Sequence, residues 1–180
     1  MINNKINILI TGGAGYVGSV LVDRLLNLKV VNKVYVIDNL LYKQESFFHF
    51  FKYFKQNRYK FIHGDVRDSN LLKEYCKKVD VVIPLAAIVG FPACDKDQLL
   101  SSQVNYEHVK KICDLASEDQ FIIYPNTNSG YGIGDSQEFC TEETPLNPIS
   151  HYGRTKCDAE KAVLDSQKGL SLRLATVFGA

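Results

Sequence analysis

Tyr152 and Lys156, in Tyr152-Gly153-Arg154-Thr155-Lys156, are spaced i to i+4, which stacks a phenol and an ammonium on one helix face. An isolated phenol ionises near ~10, too high for base work at neutral pH. A neighbouring Lys⁺ favours the phenolate and lowers that value, so the pair predicts a base that takes a proton from a substrate hydroxyl. YxxxK alone is common on solvated helices. Its meaning depends on what the rest of the chain brings beside it.

A second chemical feature supplies that context. Gly13-Ala14-Gly15-Tyr16-Val17-Gly18, preceded by Thr11-Gly12, follows an apolar strand pattern and opens a helical one continuing through Leu26. In this order Gly12, Gly13, Gly15, Tyr16, Val17 and Gly18 predict a dinucleotide cradle. The first glycines turn sharply and let backbone N–H groups approach a pyrophosphate. Gly18 lets the helix sit close to the strand, and the helix N-terminus favours the negative charge. Asp38 lies twenty residues beyond Gly18, where a carboxylate accepts from an adenosine ribose and repels a 2′-phosphate. Asn39 follows it rather than a basic residue, so NAD is expected over NADP, and the nicotinamide charge would further favour a Tyr152 phenolate. Asp65-Val66 is placed to meet an adenine edge, although Asp65 is equally suited to capping a helix.

Positioning these residues requires alternating elements. Short β-branched runs at 6–11, 33–38, 59–63, 79–84, 121–124 and 170–175 read as strands, and 15–28, 44–55, 69–77, 97–117 and 150–166 as helices. Such alternation predicts an α/β fold: a Rossmann-type, doubly wound parallel sheet with helices on both faces, in one domain over residues 1–180. Asp68-Ser69 and Asn147-Pro148-Ile149-Ser150 carry helix-start chemistry. The polar segment 125–148 is too long for an idle loop and is expected to be functional.

The set Thr11–Gly18, Asp38, Asp65-Val66, Leu85-Ala86-Ala87, Asn105, Tyr131-Gly132, Tyr152/Lys156 and Arg173 resembles the extended short-chain dehydrogenase/reductases, the NAD-dependent epimerase/dehydratase enzymes of nucleotide-sugar metabolism. The resemblance runs along the whole chain. It implies that Thr127, four residues before Tyr131, hydrogen-bonds the substrate oxygen and relays its proton to Tyr152. Lys156 would also hold the nicotinamide ribose, Leu85, Ala86 and Ala87 would line the cofactor, and Asn105 would support the active-site backbone on the cofactor side. Thr127, Asn128 and Thr176 fall at substrate positions. The segments 85–90, 125–132 and 171–179 are more similar to GDP-heptose 4-dehydrogenases than to UDP-glucose 4-epimerases. Thr176 stands where many UDP-sugar epimerases place a diphosphate-binding Asn.

The implied activity is hydride transfer at C4 of a nucleotide-activated sugar, by oxidation or epimerisation. Dehydration is disfavoured because Asn128 and Ser129, not an acid/base pair, follow Thr127. The resemblance also implies a possible homodimer through the 97–117 and 150–166 helices. Family members continue past the sixth strand into a smaller substrate lobe, which the chain is expected to lack in large part. The rival expectation is therefore a non-catalytic NAD-binding fragment or interaction module.

Composition narrows the remaining classes. Of the 180 residues, 46% are hydrophobic and 23% charged, as in a globular domain rather than a disordered chain. A net charge of +1 gives no general pull toward nucleic acid or an anionic membrane. The apolar run 81–94 is broken by Pro84, Gly90 and Pro92, too short and interrupted for a bilayer. The N-terminus shows no secretory cleavage site. Five cysteines without a CxxC pair read as reduced thiols in a cytoplasmic protein, and four scattered histidines predict no metal site. Phe47, Phe48, Phe50, Phe51, Tyr53 and Phe54, among Lys43, Lys52, Lys55 and Arg58, are expected to pack a helix onto the sheet rather than to stack nucleic-acid bases. Cys94 is expected to be a buried, inert thiol, and His151, about 100° around the helix from Tyr152, not to share its proton.

Overall fold

A computed structural model of the chain describes residues 5–43, 53, 56–133 and 139–178. Among these residues six strands form one sheet: β1 (Ile6–Thr11), β2 (Val31–Asp38), β3 (Tyr59–His63), β4 (Val81–Pro84), β5 (Phe121–Thr127) and β6 (Gly169–Leu174). Their spatial order is β3-β2-β1-β4-β5-β6, and every neighbouring pair is parallel. The helices are α1 (Tyr16–Asn27), α2 (Ser69–Cys76), α3 (Phe91–Lys96), α4 (Gln98–Ser102), α5 (His108–Leu115) and α6 (His151–Asp165). A π-helical turn, Gln103–Glu107, joins α4 to α5, and a 3₁₀ turn, Asn128–Tyr131, follows β5.

The alternation of strand side chains sorts the core into two layers. Ile8, Ile10, Val34 and Val36 face α1 and pack with Val22, Leu26 and the ring of Tyr53. Leu9, Ile37, Val82, Ile122 and Tyr124 face the opposite side and pack with Leu72, Tyr75, Val109, Ile112 and Val163. Both faces being covered explains why β1 is apolar almost throughout instead of alternating. The expected fold class is thus the observed one. The expected helix 44–55 lies, apart from Tyr53, outside the described residues, as do Phe47, Phe48, Phe50, Phe51 and Phe54.

Three differences from the sequence pattern have local causes. β5 continues through Pro125 to Thr127, because there it pairs with β6 alone and the missing N–H of proline faces no partner strand. A short helix α3 precedes the expected 97–117 helix, entered from Gly90 at φ 87°, a conformation that favours glycine. The long helix is itself split by the π turn, which a 3.6-residue pattern does not reveal. Asp68 caps α2 as expected, accepting from the N–H groups of Asn70 and Leu71, and Ser150 caps α6 by accepting from Gly153.

Candidate active site

The strand order reverses between β1 and β4, and a cleft of about 740 Å³ opens over the C-terminal ends of the strands at that point. Of the expected residues, Gly12, Gly15, Tyr16, Val17, Gly18, Asp38, Asn39, Asp65, Val66, Leu85, Ala86, Ala87, Thr127, Asn128, Tyr152, Lys156 and Thr176 all line it. Gly13 and Asn105 do not. Both sit behind the wall.

One end of the cleft is built from backbone. Gly12 adopts φ 72°, and a Cβ there would lie 2.5 Å from the Ala86 nitrogen. A Cβ on Gly18 would lie 2.6 Å from the Gly13 Cα, so α1 can approach the turn only because both positions lack side chains. Gly13 is pressed against the Val36 side chain. The N-terminus of α1 has no side-chain cap and no acidic residue in its first turn, which leaves its donors suited to an anion. Asp38 closes this end. One carboxylate oxygen accepts from Ala14 N at 3.0 Å, the other from Leu40 N at 2.8 Å. These features fit the pyrophosphate and ribose of a dinucleotide.

Asp65 is not the cap of α2. Its carboxylate pairs with Arg67 at 2.7 Å, and that hydrogen bond holds its pKa below the ordinary value. Asn105, 1% exposed, acts through the loop after β4 rather than on the cleft. Its amide oxygen accepts from Ile88 N at 2.8 Å and its nitrogen donates to Ile88 O at 3.0 Å, pinning the wall formed by Leu85–Ala87. Its side chain thus braces this loop from behind rather than lining the cleft. The π turn delivers it, since Val104 and Asn105 and then His108 and Val109 all turn inward. Cys94 is fully buried beneath the same loop, its thiol donating to Ile88 O at 3.1 Å, and burial raises its pKa.

The other end is built from side chains. Tyr152 and Thr127 meet across the cleft from α6 and β5. Burial raises the pKa of Tyr152, the nearby Thr127 hydroxyl pulls it down, and the Cys94 thiol adds to the rise. The expectation that Lys156 lowers the phenol is not met in this structure, where burial prevails. The Lys156 ammonium donates instead to Pro125 O at 2.8 Å and lies 4.2 Å from the centre of the Tyr124 ring. Burial depresses its own pKa to about 7, opposed by Cys157 and Glu160. Thr127 also caps the 3₁₀ turn, its hydroxyl accepting from Ser129 N at 3.2 Å.

Two groups escaped sequence reasoning. Glu160, one turn past Lys156, is 2% exposed and paired with Arg173 at 2.6 Å. The i+4 spacing from Lys156 was a usable signal. His108 is buried between Thr11 and the Val104 carbonyl, and burial lowers its pKa to about 4. His151 is tied away from the phenol by Ser102 and the Gln98 carbonyl. Among the described residues, no three His, Cys, Asp or Glu side chains converge as a metal site, and no helix is long and apolar enough to cross a membrane.

Comparison with known proteins agrees with this geometry. The profile of the NAD dependent epimerase/dehydratase family matches residues 8–180. A UDP-glucose 4-epimerase from Lactobacillus helveticus is 30% identical over 96% of this chain and 52% of its own length. A dTDP-D-glucose 4,6-dehydratase from Dictyostelium discoideum is 29% identical over 92% of this chain and 41% of its own. The Bordetella bronchiseptica enzyme WbmG, solved with NAD and UDP, superposes with a TM-score of 0.80 at 27% identity, covering 98% of this chain and 55% of that one. The chain thus spans about half the length of the relatives it matches. A glycine turn, a strand-end carboxylate and the grouping of Thr127, Tyr152 and Lys156 on one 3-2-1-4-5-6 sheet, with a profile match over nearly all residues, lead to one assignment: the chain belongs to the NAD-dependent epimerase/dehydratase family, the extended short-chain dehydrogenase/reductases.

Proposed function

We propose that the chain binds NAD in the cleft and carries the proton-handling residues for hydride transfer at C4 of a nucleotide-activated sugar, in an oxidation or an epimerisation. The observation that carries this reading is the convergence of Thr127, Tyr152 and Lys156 at one end of a cleft whose other end is the Gly12–Gly18 cradle and Asp38. NAD supplies the hydride acceptor. Asp38 takes the ribose hydroxyls and repels a 2′-phosphate, and the α1 N-terminus takes the pyrophosphate.

The residues then divide the proton work. Thr127 orients the sugar hydroxyl, and the Tyr152 phenolate oxygen accepts its proton. Lys156, held against Pro125, supplies positive charge on the same helix face when protonated. A phenol raised by burial makes a poor base, so the positive charge gathered at this end has to reverse that shift before Tyr152 accepts a proton. The exposed Asn128 and Thr176 would meet the sugar and its diphosphate. The relatives' names favour a UDP or dTDP sugar, whereas Thr176 favours another nucleotide such as GDP. The helical segments 97–117 and 150–166 are proposed as a homodimer interface, and the free thiols fit the cytoplasm.

The test is incubation with NAD⁺ and a panel of UDP-, dTDP-, GDP- and CDP-sugars, following reduced cofactor by absorbance and product by NMR, with NAD⁺ binding measured by calorimetry. Turnover abolished by Tyr152→Phe supports the reading. Undiminished turnover in that variant overturns the role of Tyr152. NAD⁺ binding without turnover of any sugar favours the rival, a cofactor-binding module without catalysis of its own.

A further inference from the structure

Glu160 is a charged side chain that the chemistry above does not use, yet it is among the most buried polar groups of the chain. Oε2 accepts from Asn126 Nδ2 at 2.6 Å and from Ser171 Oγ at 2.6 Å. Oε1 accepts from Arg173 Nη2 at 2.6 Å and Nε at 3.0 Å. Burial pushes this carboxyl up, but Arg173, Ser171 and Asn126 together outweigh it and hold it ionised. Arg173 also donates to Tyr131 Oη at 3.2 Å and to Glu142 O at 3.0 Å. A single carboxylate thus ties α6 to β5, to β6 and to the turn that follows Thr127.

Stability alone is a weak reason to keep such a pair, because apolar residues of similar volume serve about as well in most buried sites. Its placement gives a better one. Asn126 sits between Pro125, whose carbonyl holds the Lys156 ammonium, and Thr127, which lines the same end of the cleft as Tyr152. Asn126 Oδ1 is buried without a donor among the described residues, so the bond to Glu160 is what orients this amide.

We propose that Glu160 is a positioning residue for the proton-handling cluster: through Asn126 and Arg173 it fixes Pro125, and with it Lys156, and sets the Thr127 hydroxyl against Tyr152. The proposal rests on the function assigned above. Around Lys156 the titratable neighbours are Glu160 and Cys157 on α6, Tyr124 on β5 and His108 on α5. Tyr152 faces Thr127 on β5, Cys94 on α3 and the buried Tyr124. Arg173 on β6 faces Glu160. Removing the Glu160 charge leaves Lys156 less supported, and releasing Asn126 loosens the Thr127–Tyr152 contact.

The experiment labels the full chain with ¹³Cζ-tyrosine and ¹⁵Nζ-lysine, assigns Tyr152 and Lys156 by Tyr152→Phe and Lys156→Met, and compares pH titrations of wild type and Glu160→Gln. In the variant Lys156 is expected to titrate at lower pH and Tyr152 at higher pH. Turnover should fall roughly tenfold to a hundredfold in kcat, with KM and NAD⁺ affinity changing less than about threefold. Should Glu160→Gln not fold, the double variant Glu160→Met/Arg173→Met removes both charges together and is read in the same way. Titrations of Lys156 and Tyr152 that match wild type in a folded variant overturn the proposal. A wild-type chain that neither binds NAD⁺ nor turns over a sugar overturns the functional assignment instead, while the titrations still decide the role of Glu160.

Discussion

The two ends of the cleft are made of different material. The cradle depends on atoms that are absent: Gly12 and Gly18 let two stretches of backbone touch, and Asp38 is fastened to main-chain N–H groups. The Tyr152–Lys156 end depends on side chains pulled out of water, with Lys156 6% exposed and Glu160 2% exposed. Steric tolerance is therefore least where the site would hold a cofactor, and sensitivity to pH is greatest where it would move a proton.

The contrast is broken most directly at Gly12. Gly12→Val combines positive φ with a Cβ 2.5 Å from the Ala86 nitrogen. It should lose about 3 kcal/mol or more of stability, read from the urea midpoint. A loss below about 1 kcal/mol would mean that the turn is not rigid. At the other end Tyr152→Phe should leave the melting temperature near wild type while turnover drops on the order of a hundredfold or more. Equal losses of stability and turnover there would erase the distinction.

Two smaller effects sharpen it. Asn105→Ala strands the N–H of Ile88 in the interior, leaves its C=O with the Cys94 thiol alone, and should destabilise by about 2 kcal/mol. Faster hydrogen exchange at Ile88 is the accompanying sign. Lys156 gives the pH test. Its folded pKa of about 7 lies below the 10.5 of an ordinary lysine, so the unfolded chain binds more protons between those pH values. Wild-type stability should accordingly gain relative to Lys156→Met as pH rises from 7 to 10.5, by at most about 1.4 kcal/mol per pH unit. The advantage of Lys156→Met should be fullest below pH 7. A constant difference between the two curves across this window would show that Lys156 stays charged in its burial site.

Much of the cradle could be read from residue order, because Gly12–Gly18 and Asp38 are local signals tied to a strand end. Tyr152 and Lys156 were legible for the same reason. What the residues did not disclose was direction. The ammonium of Lys156 turns to Pro125 and Tyr124, a consequence of β5 running three residues beyond its apolar stretch to pair with β6. The Glu160–Arg173 pair was hidden similarly, since its partners lie on separate elements and only the sheet brings them together. Asn105 was legible as a supporting residue but not in its reach to Ile88, which depends on an irregular helical turn.

That turn has a further consequence. Gln98–Leu115 behaves as two helices of different phase in one continuous rod. Ser101 before the turn, Val104 and Asn105 within it, and His108, Val109, Ile112 and Cys113 after it all face inward, the stripe from Val104 onward recurring every four residues. The interval 103–107 works as a vernier between a stripe registered to the loop after β4 and one registered to the sheet. Deleting a single residue there would restore a regular helix and leave one of the two stripes out of step with its partner.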